Sequence, residues 1–221
     1  FKRLPDNPFN RKVRNILWTQ GYKELKVVYG QIKSMSRMKR FVLAFFFYNA
    51  GVQAVMYLAS LFGAKELKME AAMLILTVLI IQLVAILGAN LFANLSARKG
   101  NIYALISMNV IWILVCVAAF FVDNNLQFFA LAFVVGLIMG GIQALSRATF
   151  AKLIPSDTKD HASFFSFYDV TYNVSIVMGT VAYGTIEFLT GSMRFSALGL
   201  GLLFIIGLLL LRPLRISGVQ K

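Results

Sequence analysis

The sequence predicts an all-α integral membrane protein: a bundle of six membrane-crossing helices preceded by a basic amphipathic helix. Three observations carry that expectation. Hydrophobic residues make up 59% of the 221 positions, against roughly 45–50% in soluble domains. The 22 Lys and Arg and 9 Asp and Glu residues are unevenly placed, with 13 of them in residues 1–40 and only 15 across residues 41–211. From residue 41 onward the chain divides into six apolar runs, Phe41–Gly63, Ala71–Leu95, Ile102–Val122, Phe128–Phe150, Phe164–Leu189 and Phe195–Leu211. Each is close to the roughly 20 residues that a helix needs to cross a hydrocarbon core about 30 Å thick. Hydrocarbon offers the backbone no hydrogen-bonding solvent, so only helices or a closed barrel cross it, and these runs lack the alternation of barrel strands.

Residues 1–40 read as a cytoplasmic basic connector. Pro5 and Pro8 favour an extended start, Asn10 is placed to cap a helix from about Arg11 to Ser34, and Trp18, Tyr22, Leu25, Tyr29 and Ile32 recur at helical spacing. Arg11, Arg14, Lys23, Lys26 and Lys33 mostly lie off that stripe. The helix fits either an interface with anionic lipid or a linker covering the cytoplasmic ends of the bundle. The chain opens with Phe1, which reads as a piece of a longer protein.

Residues 41–211 are the bundle, and its polar residues are informative because each needs a partner or a water-filled cavity. In the first span Asn49 and Gln53 share a face. In the second, Gln82, Asn90 and Asn94 fall close to one face, which predicts a cavity shared between the two helices. Interhelical hydrogen bonding is the plainer alternative for each amide. The third span contains the single cysteine, Cys116, which excludes a disulfide scaffold. The fourth holds Gly136 and Gly140, suited to close helix packing, then Gln143, Ser146 and Arg147. The fifth holds Asp169, Tyr172 and Asn173, with Glu187 near its outer end. Arg147 and Asp169 should lie at similar depth on consecutive antiparallel helices, so an ion pair is expected, acting either as a gate or as static neutralisation. His161 lies in the connection between those spans. Residues 212–221 form a cytoplasmic tail.

Lys and Arg number 19 on the side of the N-terminal segment against three (Lys65, Lys68, Arg194) on the other, which places both termini in the cytoplasm. The same asymmetry directs the net charge of +13 toward a membrane surface rather than nucleic acid. The sequence has no GxxxxGK[ST] loop, HExxH, CxxC or GxSxG, so no catalytic residues, metal site or cofactor are expected, and energy coupling would be secondary.

Gly140-Gly-Ile-Gln-Ala-Leu-Ser-Arg147, continuing through Lys152-Leu-Ile-Pro155 to Phe164-Phe-Ser-Phe-Tyr168, resembles a helix pair of the vacuole-effluxer branch of the major facilitator superfamily. Tyr48-Asn-Ala-Gly-Val-Gln53 resembles that branch as well. The resemblance covers most of residues 1–190. It implies the C-terminal six-helix half of a twelve-helix transporter, with residues 1–40 in the connector between halves, and a bacterial inner membrane or a vacuolar membrane as its location. It also implies export of a small polar solute such as an amino acid. Two positions depart from the pattern: the branch often has an acidic residue where Ala50 stands, and Ala97 precedes Arg98 where the superfamily's short cytoplasmic loop usually has Asp. Arg98 with Lys99 and Gly100 is then the remnant of a conformational latch, or simply a basic turn.

The expected function is therefore half of an alternating-access secondary transporter. Asn49, Gln53, Gln82, Asn90, Gln143, Tyr172 and Asn173 are the candidate cavity residues, and Arg147, Asp169 and Arg98 the candidate gating or coupling residues. Its partners would be the lipid bilayer, a missing N-terminal half and the solute, with self-association through the uncovered face. A six-helix membrane scaffold without transport is the alternative.

Overall fold

A computed structural model describes residues 17–156, 158 and 160–216. Among these all regular secondary structure is α-helix: α1 (Leu17–Ser34), α2 (Ser36–Lys65), α3 (Ala71–Lys99), α4 (Asn101–Phe120), α5 (Asn125–Leu153), α6 (His161–Thr190) and α7 (Met193–Ile216). Helices α3, α4, α5 and α7 are each long and apolar enough to cross a membrane. Helix α2 makes a fifth if its two arms, which meet at a 43° bend after Tyr57, count as one span. Helix α6 is as long as α2 but falls short by apolarity, because Asp169, Tyr172, Asn173, Ser175 and Glu187 dilute its hydrocarbon character. Six spans are therefore not reached on composition.

The helix ends follow local chemistry. Asn124 caps α5 by accepting the Gln127 backbone N–H at 2.9 Å, and the Gln127 side chain reaches back to accept the Asp123 N–H at 2.9 Å. Gly100 (φ 86°) separates α3 from α4, and Gly191 (φ 68°) closes α6 in the left-handed conformation that costs glycine least. The first apolar helix begins at Ser36, five positions before the apolar run, and the last continues to Ile216, past the expected start of the tail at residue 212. Hydrogen-bonded turns precede the first apolar stretch because Arg37, Lys39 and Arg40 are good helix formers, and the last helix runs on through Pro213.

Helix α1 ends at Ser34 as expected, while residues 11–16, the Asn10 cap and the Trp18 side chain lie outside the described residues. Its packed face overlaps the expected stripe at Ile32 and departs from it at the tyrosines. Val28 and Ile32 are buried where α1 meets α6 and α2, whereas Tyr22 and Tyr29 are 70% and 58% exposed. Aliphatic residues fill the narrow contact, and the tyrosines, with a hydroxyl to keep wet, stay outside, although the Tyr29 ring still lies 6.3 Å from that of Phe167.

Two helix pairs are packed backbone against backbone. A Cβ at Gly88 of α3 would strike the backbone of Leu137 in α5, and one at Gly140 of α5 would strike that of Ala85 in α3. Gly179 of α6 meets Ala50 of α2 in the same way. Small residues at such crossings let dispersion contacts form along the backbones themselves. Helix α7 closes the bundle against α2 and α4, with the Phe204 ring stacked on Trp112 at 5.2 Å and filling the space over Gly51.

Candidate functional site

Polar side chains of α2, α5 and α6 converge on a cleft of about 290 Å³. Helix α2 supplies Tyr48 and Asn49; α5 supplies Gln143, Ser146 and Arg147; α6 supplies Tyr168, Asp169 and Tyr172. Phe45, Val52 and Ile142 form its apolar flanks. On every helix these positions are one, three or four apart, so each set shares a face.

Hydrogen-bond accounting divides the polar groups into spent and unspent. The single Ser146 hydroxyl proton goes to the Ile142 carbonyl at 2.5 Å, so the Tyr48 hydroxyl donates to Ser146 Oγ at 2.6 Å. Ser175 donates to the Tyr172 carbonyl at 2.7 Å and accepts from Asn49 Nδ2 at 2.5 Å, while Gln53 Nε2 donates to Asn49 Oδ1 at 3.4 Å. Tyr48, Asn49 and Gln53 are buried; the Tyr48 bond ties α2 to α5 and the Asn49 bond ties α2 to α6, as the plainer reading of that amide expected, while the Gln53 bond stays within α2. The Gln143 amide and the Tyr168 and Tyr172 hydroxyls, by contrast, have no protein hydrogen-bond partner among the described residues.

The expected ion pair is present. Arg147 Nη2 donates to Asp169 Oδ1 at 3.2 Å, with the two side chains 57% and 54% exposed. The guanidinium also lies over the rings of Phe165 and Tyr168, 5.7 Å from each centroid. Asn173 is exposed next to the pair and spends its amide on the Asp169 carbonyl at 2.7 Å.

Gln82 and Asn90 are not brought to this cleft. The inward stripe of α3 is Thr77, Ile81, Val84, Gly88, Phe92 and Ser96, fixed by the close approach of Gly88 to α5, and Gln82 and Asn90 are exposed off that stripe. The expected cavity between the first two spans is accordingly replaced by one among α2, α5 and α6. Arg98 is exposed at the end of α3.

Three positions went unassigned from the sequence: Tyr48, directly before Asn49 on α2, Tyr168 and Asn101. Tyr168 floors the cleft, stacked on Phe45 at 4.4 Å; its signal was its place three residues after Phe165 and directly before Asp169. Asn101, which starts α4, accepts from Ser96 Oγ at 2.7 Å and Lys152 Nζ at 3.3 Å and donates to Thr149 Oγ1 at 3.1 Å. It joins the α3–α4 turn to the end of α5. At the opposite end of the bundle Arg194 donates to Glu66 at 3.3 Å, Asp123 at 2.9 Å and the Phe120 carbonyl at 3.0 Å, and Lys65 pairs with Glu187 at 3.4 Å.

The family described as "Vacuole effluxer Atg22 like" matches residues 1–218. The chain is 33% identical over 86% of its length to the "Uncharacterized MFS-type transporter YxiO" of Bacillus subtilis, covering 44% of that protein. It is 28% identical over 80% of its length to "Autophagy-related protein 22" of Yarrowia lipolytica, covering 31% of it, and 26% identical to the Saccharomyces cerevisiae protein of that name, covering 35%. The chain thus spans less than half the length of these relatives. No solved structure matches it.

Proposed function

The chain belongs to the Atg22-like vacuole effluxer family of multi-pass membrane proteins, and from that premise we propose that it is the C-terminal half of an alternating-access transporter. The solute is small and polar, such as an amino acid. Residues 1–40 then belong to the cytoplasmic connector, residues 41–211 to a six-span bundle and residues 212–221 to a cytoplasmic tail. Helix α6 is the sixth crossing, its polar residues turned to a water-filled path in place of lipid. Both termini are cytoplasmic, so the cleft sits toward that mouth, and an N-terminal half completes the site from the other side.

The observation that carries this reading is the cleft itself. It is wide enough for a small solute, and Gln143, Tyr168 and Tyr172 bring it polar groups that the fold has not consumed, beside the single-contact Arg147–Asp169 pair. Gln143 and Tyr172 are the preferred solute contacts, Arg147 and Asp169 the gate. Asn49 lines the cleft while tying α2 to Ser175 of α6, and Gln53 supports Asn49 from one turn further along α2.

The test is counterflow in liposomes with the full-length gene product, using a panel of radiolabelled amino acids. Saturable exchange of at least one, lost in Gln143→Ala with Tyr172→Phe, is expected. A folded, correctly inserted protein that moves none of them, while mutations on α1 disturb it more than mutations in the cleft, would establish the scaffold alternative.

A further inference from the structure

Arg147 meets Asp169 through a single contact at 3.2 Å, although a guanidinium carries five donors and a carboxylate can accept two of them side by side. Both partners are more than half exposed, the situation in which an ion pair holds weakly. The guanidinium is placed by something else. It lies over the Phe165 and Tyr168 rings, whose faces attract a cation without consuming its N–H donors. Tyr168 is in turn fixed by its stack on Phe45 and by Phe150, 5.0 Å away. Arg147 therefore keeps its position when Asp169 lets go, and its in-plane donors can turn to another acceptor. The Gln143 amide and the Tyr172 hydroxyl, both without a protein partner, line the same cleft.

We propose that Arg147 is an exchange site. Asp169 occupies one donor of the ring-held guanidinium in the empty cleft, and a carboxylate on the incoming solute displaces Asp169 and takes the guanidinium in a two-point contact. This rests on the transport reading and names the solute group that the cleft recognises. It has a mechanical corollary: Arg147 is on α5 and Asp169 on α6, so solute binding removes one ion pair between the two helices while the contact of Arg147 with the α6 rings persists.

The experiment uses the full-length gene product in detergent and in liposomes. Binding is read by thermal protection and calorimetry against the common amino acids and the simple carboxylates acetate, lactate and succinate. The tightest binder is then compared with its amide and with the amine lacking the carboxylate. Loss of the carboxylate should weaken binding at least about tenfold, as for removal of a charge-assisted bond. Arg147→Gln should erase that difference and Arg147→Lys keep part of it. Asp169→Asn should tighten carboxylate binding about two- to fivefold, because the internal competitor is gone.

An amide that binds as well as its acid, or an Asp169→Asn protein that binds the acid more weakly, overturns the exchange. Flux of a solute indifferent to Arg147 overturns it while leaving transport standing. A folded protein that binds and moves nothing overturns both.

Discussion

Arg147 and Arg194 both reach carboxylates across helices, and the bundle holds them in opposite ways. Arg194 makes three contacts, to Glu66 of the α2–α3 connection and to Asp123 and the Phe120 carbonyl at the end of α4, and its side chain is only 25% exposed. Arg147 makes one contact to one carboxylate and stands more than half exposed in a cleft. The first arrangement closes an end of the bundle; the second leaves capacity in reserve. Charge and residue type are the same, so the difference lies in how many donors the fold has consumed.

That contrast can be broken in graded steps. The largest effect is expected from Arg147→Gln, which should reduce solute flux at least about tenfold yet lower stability by under about 1 kcal/mol, since an exposed pair contributes little to folding. Flux and melting measured on one preparation decide this. Arg194→Gln should do the reverse, costing about 1–3 kcal/mol by leaving a half-buried carboxylate and a carbonyl unpaired, with flux per folded molecule retained. A variant that melts normally would mean that Arg194 is not a clamp. Asn101→Ala should cost about 1–2 kcal/mol, because the Lys152 and Ser96 donors lose their shared acceptor, and proteolysis of the α3–α4 turn is the sensitive readout. The smallest effect divides the Arg194 partners: Asp123→Asn, at a 74% exposed carboxylate, should change melting by under about 0.5 kcal/mol, and Glu66→Gln, at a 24% exposed one, by more.

Much of this was legible in the sequence, because apolar run length and charge spacing report on solvent directly. The α3 run was read from Ala71, where the helix starts, and the Arg147–Asp169 pair followed from two charges at matching distances from one connection. What periodicity could not give was the neighbour. Gln82 and Asn90 do share one side of α3, but which side faces inward was decided by Gly88 pressing on Leu137, a contact with a residue 49 positions away. On α1 the packed face shares Ile32 with the expected stripe but takes Val28 in place of Tyr22 and Tyr29, since both patterns fit a helix and only the shape of the receiving surface separates them. Asn49 and Gln53 were expected as cavity lining; Asn49 does line the cleft, but its amide is spent on Ser175 and on Gln53, which lies outside the lining, an accounting that needs the partner helix in hand.

The glycine contacts carry a consequence for how the bundle is assembled. Helices enter a bilayer in the order of synthesis, yet the tightest partners here are distant in that order: α3 must wait for α5, and Ala50 of α2 must wait for Gly179 of α6. An early helix without its partner has only lipid for company. Helix α3 suits that interval, being the most apolar of the spans that pass on composition and the least buried of them in the finished bundle. Its long row of exposed leucines and isoleucines is thus a provision for the nascent chain, allowing α3 to stand in hydrocarbon until α5 arrives.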